Sequence, residues 1–168
     1  MTSPLFAPQD RDLPQINQES LIQNSIELHA RAGRSLLKFL IIDDEAFNLF
    51  AMDAMLRNLK IQYIEQSFNG KQALEMLAER QYDFDVILTD YHMPEMDGIK
   101  FAQEVRLMQE RGIIKVSLEI ILVTGHHLLQ EFDRFLIGGE SRPLFDDRLL
   151  KPFSRDQLRE TLVSRNII

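Results

Sequence analysis

The unbroken apolar run Val86-Ile87-Leu88, closed by Thr89-Asp90 and followed by Tyr91-His92-Met93-Pro94-Glu95-Met96-Asp97-Gly98, constrains this chain more than any other stretch. A strand with one wet face alternates polar and apolar residues. A run without alternation is buried on both faces, as in a parallel sheet covered by helices. Polar residues then emerge only at its carboxyl end, the edge where open α/β sheets bind ligands. Pro94 lacks a backbone donor and Gly98 admits positive φ, so Met93 to Gly98 reads as a loop with a helix opening near Ile99. Asp90 is thereby expected at a lip exposed to chemistry.

The same pattern recurs along the chain. Phe39-Leu40-Ile41-Ile42 stops at Asp43-Asp44-Glu45, Ile120-Ile121-Leu122-Val123 stops at Thr124-Gly125, and Leu149-Leu150 stops at Lys151-Pro152. A weaker strand, Ile61 to Ser67, precedes Asn69-Gly70. Helical spacing fills the intervals. Ala46 to Lys60 carries Phe47, Phe50, Ala51, Met55 and Leu59 on one broad face, read as core, with Glu45 as a cap and dipole partner. Lys71 to Arg80 runs through Ala73, Leu74 and Leu77, and Ile99 to Gln109 turns Phe101, Val105 and Met108 inward. His127 to Ile137 is expected to form a further helix, after which Gly138-Gly139 and Pro143 make the passage to the last strand long and irregular. Ser154 caps a final helix through Leu158, Leu162 and Val163. Strand-helix units in series predict an α/β fold, a parallel sheet with helices on both faces joined by right-handed crossovers.

Length and composition limit what surrounds this core. A chain of 168 residues holds one domain of ordinary size plus an extension. Three of the six prolines, Pro4, Pro8 and Pro14, fall among polar residues near the start. Residues 1–36 are therefore expected to be a tail and linker, with a short helix within 17–36 through Leu21, Ile22 and Ile26, and residues 37–168 the domain. The absence of Cys excludes disulfides, thiolate zinc sites and cysteine nucleophiles. A formal charge of -7 argues against nucleic-acid binding through phosphate neutralisation. With neither a leader-like start nor an apolar stretch of bilayer length, the expectation is a cytoplasmic protein without membrane contact.

A parallel sheet gathers its carboxyl ends at one edge, so Asp43, Asp44, Asp90, Thr124 and Lys151 are expected to be neighbours. Carboxylates crowded together must share a proton or a divalent cation. Oxygen donors alone favour Mg²⁺, which leaves water positions that phosphoryl oxygens can take. Lys151 and Thr124 could complement an oxyanion attached to Asp90. The chemistry indicated is phosphoryl transfer onto a carboxylate. His92, His126 and His127, with no Cys beside them, read as loop residues rather than a zinc site, and His29 as a surface residue.

Four segments, FLIIDDEAFN from Phe39, DVILTDYHMPEMDG from Asp85, Val123-Thr124-Gly125 and Leu150-Lys151-Pro152-Phe153, together resemble the receiver domain of two-component response regulators, from about Leu37 to Ile167. The resemblance implies a flavodoxin-like three-layer sandwich with a five-stranded parallel sheet in the order 2-1-3-4-5. It makes Asp90 the phosphoacceptor for a phosphohistidine on a histidine kinase or histidine phosphotransfer protein. It assigns Mg²⁺ to Asp44, Asp90 and the backbone carbonyl of His92, with Asp43 helping through water. Thr124 would contact the phosphoryl group, Lys151 would pair with its oxygens, and the Lys151-Pro152 bond would be cis.

The chain departs from the family pattern at Arg148, where such domains usually carry an aromatic switch, and Phe145 is the candidate substitute. The segment between Thr124 and Lys151 is also long for the family. His92 and His126 occupy positions expected to tune the lifetime of the acyl phosphate. A phosphoacceptor switch is expected, acting through protein contacts, since no DNA-binding module follows Phe153. One alternative is a receiver-like interaction module independent of phosphorylation. Another is a hydrolase with an aspartyl-phosphate intermediate, against which His92 stands where such enzymes carry a second aspartate.

Overall fold

The computed structural model describes residues 36–81, 83–125 and 143–168. In chain order these form β1 (Lys38–Ile42), α1 (Ala46–Asn58), β2 (Tyr63–Ser67), α2 (Gly70–Glu79), β3 (Val86–Asp90), α3 (Gly98–Glu110), β4 (Glu119–Thr124), β5 (Asp147–Leu150) and α4 (Arg155–Ser164). The strands make a single parallel sheet in the order β2-β1-β3-β4-β5, the flavodoxin-like arrangement. The expected helices within 17–36 and 127–137, with the Gly138-Gly139 passage, lie outside the described residues.

Apolar runs without alternation do here what their pattern requires, feeding two cores at once. Leu40, Ile42, Ile87, Ile120 and Leu122 point to one face of the sheet, against Ala73 and Leu77 of α2 and Phe101 and Val105 of α3. Phe39, Ile41, Val86, Leu88, Ile121 and Val123 point to the other, against Leu49, Met52 and Leu56 of α1 and Leu158 and Leu162 of α4. Each fully buried side chain of this size contributes about 1.5–3 kcal/mol relative to exposure. A polar residue inside β1, β3 or β4 would thus forfeit burial on one layer whichever way it pointed.

The expected inward face of α1 is corrected. Phe47 and Phe50 are 78% and 71% exposed, whereas Leu49, Met52 and Leu56 are buried. The helix carries two apolar stripes, and burial of Leu49, Met52 and Leu56 against Phe39, Ile41 and Leu88 of the sheet selects between them. That rotation brings Asn48 to the sheet edge, where the Asp43 carboxylate accepts from its side-chain amide (2.9 Å) and from the Glu45 N–H (3.0 Å). The two phenylalanines face outward. Val163, expected inward on α4, is likewise 44% exposed. The Ser154 cap is present as a reciprocal capping box with Gln157, whereas Glu45 makes no side-chain cap bond.

The start of β5 is fixed by a buried arginine. Arg106 of α3 donates to the Leu144 carbonyl (3.0 Å), the Gln109 side chain (2.7 Å) and the Asp146 carboxylate (2.7 Å). Asp146 also accepts from the Ile120 N–H at 2.7 Å, extending the β4–β5 pairing by a side chain. Both members of the Arg106–Asp146 pair are buried and hydrogen-bonded further, the condition under which an interior ion pair is tolerated.

Candidate functional site

Strand register brings the run-ending residues to one edge. Asp90 closes β3 and pairs in register with Val123, Thr124 closes β4 opposite Leu150, and Asp43 and Lys151 follow the ends of β1 and β5. The Lys151 N–H donates to the Thr124 carbonyl at 2.8 Å, which carries the β4–β5 pairing one residue further and brings the lysine to the lip. The Lys151-Pro152 peptide is cis, as the resemblance implies.

At this edge the Lys151 ammonium lies 2.5 Å from Asp43 Oδ2 and 2.6 Å from Asp90 Oδ1. Asp43 is fully buried, Asp90 is 8% exposed and Thr124 is 1% exposed. Burial pushes the Asp90 carboxyl above its ordinary range, and the Asp43 charge adds to this. The Lys151 hydrogen bond and charge, with the His92 N–H, pull the other way without cancelling it. Burial alone would lower the Lys151 ammonium, but its bonds to Asp43 and Asp90 raise it, so it stays charged. With both carboxylates ionised, one lysine leaves a negative charge uncompensated at the lip.

Each oxygen of the two carboxylates has a distinct task. Asp90 Oδ2 accepts from the His92 N–H (3.0 Å), and Asp90 Oδ1 meets Lys151. Asp43 Oδ1 takes the Glu45 and Asn48 donors, and Asp43 Oδ2 meets Lys151. Sequence reading passed over Asn48 except as a letter within a motif; its one signal was a side-chain donor on the first turn after the acidic pair. Asp44 is exposed just before that turn, and His92 is exposed with its ring edge-on to Tyr91, centroids 4.2 Å apart. Asp43, Asp90 and Lys151 thus meet directly, Thr124 borders them through the backbone, and Asp44 and His92 flank the opening. His126 lies outside the described residues.

The loop after β3 holds Asp90 by close packing. Gly98 does not use the positive φ open to a glycine; in the turn Glu95 does, at 62°. Glycine is required at 98 because a Cβ there would lie 2.1 Å from the Asp90 carbonyl oxygen. The Gly98 N–H donates to the Tyr91 carbonyl (3.0 Å), and the Thr89 hydroxyl to the Asp90 carbonyl (3.1 Å). Asp97 caps α3 by accepting from the Lys100 N–H. Phe145, the candidate stand-in for the missing aromatic switch, is fully buried in the core under α3 and is not at the site, while Arg148 is half-buried on β5 opposite Leu122.

Among the described residues no group of three or more His, Cys, Asp and Glu stands in a metal-binding arrangement. The oxygens of Asp43 and Asp90 nevertheless fit Mg²⁺, which commonly takes one or two carboxylates and fills its octahedron with water and substrate oxygens. Soft or redox metals find no thiolate or imidazole cluster among these donors.

The response regulator receiver domain model matches residues 39–163. Two-component system protein A of Emericella nidulans is 28% identical over 123 residues, 73% of this chain and 16% of that protein. The signal transduction histidine-protein kinase BarA of Escherichia coli is 28% identical over 141 residues, 84% of this chain and 14% of that protein. The chain therefore spans a small part of the length of these relatives. Among solved structures, the receiver domain of the sensor histidine kinase PA1611 from Pseudomonas aeruginosa, with a magnesium ion in its active-site cleft, is 29% identical with a TM-score of 0.60, covering 76% of this chain and 95% of that one. The chemotaxis response regulator CheY4 of Vibrio cholerae shares the fold at a TM-score of 0.63 and 24% identity, covering 77% of this chain and 98% of that one. Together with the strand order and the buried acid–lysine edge, the match over residues 39–163 makes this chain a member of the response regulator receiver domain family of two-component phosphorelay systems.

Proposed function

We propose that Asp90 accepts a phosphoryl group from a phosphohistidine, and that the resulting acyl phosphate alters the surface this domain offers to its partners. The observation that carries this reading is the Lys151 ammonium bridging two buried carboxylates, Asp43 and Asp90, at the carboxyl edge of the sheet. One Asp90 oxygen attacks phosphorus in line, a P–O bond forms, and the P–N bond to the donor imidazole breaks. The imidazole nitrogen leaves with the bonding electron pair and takes up a proton from solvent. Lys151 turns from Asp90 to the incoming phosphoryl oxygens, and the Thr124 hydroxyl donates to them. His92 keeps its N–H on the carboxylate oxygen that does not react, fixing the nucleophile's orientation.

Asp43, Asp44, Asp90 and the His92 carbonyl would hold a Mg²⁺ ion, which supplies charge neutralisation between the carboxylates and the phosphoryl group. His92 would also tune the lifetime of the acyl phosphate, together with His126. The domain acts as a switch with a covalent state rather than a turnover enzyme.

The donor is a histidine kinase or histidine phosphotransfer protein, and its docking face adjoins the site. A groove of about 510 Å³ runs between α1 and residues 151–153, with Phe47, Met55 and Phe153 on its walls and Lys151 at its end. Because Lys151 belongs to both groove and site, a protein that brings an imidazole onto Asp90 covers this groove, the exposed Phe47 on its wall included.

Intact mass after incubation with acetyl phosphate and Mg²⁺ tests the reading. The expected result is one added phosphoryl group, acid-stable and alkali-labile, absent with EDTA and absent in Asp90→Asn. Phosphorylation persisting in Asp90→Asn, or none from either acetyl phosphate or a phosphohistidine donor, would overturn it.

A further inference from the structure

We infer that Asn48 is a positioning residue for the cation site, fixing the Asp43 carboxylate so that one oxygen alone, Oδ2, is presented to Lys151 and to a bound divalent cation. The inference rests on the proposed cation site and assigns a task to a residue outside it.

The argument is one of donors and lone pairs. Asp43 is fully buried and its carboxylate can only accept hydrogen bonds. Its Oδ1 receives two donors, the Glu45 N–H at 3.0 Å and the Asn48 amide at 2.9 Å, which occupy both lone-pair directions of that oxygen. Its Oδ2 is left facing Lys151 at 2.5 Å, on the side shared with Asp90. The amide orientation follows from the chemistry, since only the nitrogen end of Asn48 can face a carboxylate.

Asn48 is well supported for this task. It occupies the third position of α1, counting from the cap residue Glu45, and its own N–H is held by the Glu45 carbonyl at 3.0 Å. Its neighbour Leu49 is buried against the sheet, which fixes the rotation of the turn. The amide therefore comes from a rigid element and holds a charged oxygen with little freedom of its own. Without it, Oδ1 keeps one donor, and the carboxylate can turn to seek a second from Lys151. Both carboxylate oxygens then compete for the ammonium, and the edge facing a cation is no longer set. Partners that orient ligands in this way typically alter metal affinity by about 10–100-fold.

The test is Mn²⁺ binding, followed by loss of the electron paramagnetic resonance signal of the free aquo ion, in the full chain without phosphodonor. Asn48→Leu and Asn48→Ala both remove the donor from a half-exposed position. Leu56→Ala is the control, since it loosens the same helix at a fully buried position away from Asp43. The inference predicts a dissociation constant raised about tenfold or more in both Asn48 variants, and unchanged in Leu56→Ala despite its lower Tm. Unaltered affinity in the Asn48 variants would overturn it, as would equal weakening in Leu56→Ala. Failure of the wild-type chain to bind Mn²⁺ would instead overturn the cation site itself.

Discussion

Asp90 is a carboxylate kept where the fold would rather have a neutral group. Burial raises its proton affinity, and Lys151 and the His92 N–H recover only part of the cost of ionising it. It therefore binds its proton more tightly folded than unfolded, so its contribution to stability is full below the ordinary carboxyl range and is lost as pH rises through its raised folded value. Asp90→Asn has no charge to desolvate. In EDTA at pH 7 that variant is expected to melt a few degrees above wild type, on the order of 1 kcal/mol for a chain of this size. The gap should narrow as pH falls into the range where Asp90 takes up its proton, as read by calorimetry across pH. At this scale the sequence was informative where a polar residue ends an apolar run, as at Asp43, Asp90, Thr124 and Lys151, because strand burial leaves such residues one place to emerge. It was silent on Asn48, whose partner is set by the rotation of a helix, and misleading on Gly98, whose need is close approach rather than positive φ.

Among the elements, β1, β3 and β4 followed directly from their unalternating runs, whereas α1 offered two apolar stripes and periodicity could not rank them. Packing on the sheet takes the stripe at Leu49, Met52 and Leu56, and so delivers Phe47 and Phe50 to the surface and Asn48 to Asp43. Phe47 then lines the groove that Lys151 also borders. A different device holds β5, a short edge strand of four residues whose start is tied by Arg106 to α3 and by Asp146 to β4. Arg106→Ala would strip the Asp146 carboxylate of a buried charged partner, and among the described residues Arg165 also approaches it, at 3.9 Å. The expected loss is about 3–5 kcal/mol, seen as a lower urea midpoint. A loss below about 1 kcal/mol would mean that Arg165 or water replaces the pair. No pattern in the sequence announced this arginine, since a charged residue on a helix reads first as solvated surface.

Over the described residues, the acid–lysine contacts and the apolar groove are neighbours that share Lys151. The acid–lysine contacts lie at the ends of β1, β3 and β5, while the apolar groove proposed as the donor's docking face lies along α1 and residues 151–153. The two can be tested independently. Phe50→Ser, at a position 71% exposed and away from the acid–lysine contacts, should leave phosphorylation by acetyl phosphate unchanged and slow transfer from a phosphohistidine protein by about tenfold or more, the loss of one apolar anchor at an interface. Equal rates from the protein donor would remove Phe50 from the docking face. The receiver fold could be read from strand ends and order, but Arg148, in place of the usual aromatic, and the long β4–β5 connection leave the route from site to partner to be found in this chain itself. The most direct measurement of the central claim is borohydride reduction of the phosphorylated chain followed by peptide mass mapping. If Asp90 carries the acyl phosphate, residue 90 is converted to homoserine in the phosphorylated sample and in no unphosphorylated control. Homoserine at 43 or 44, or at no position in a chain that has gained phosphate, would contradict the account.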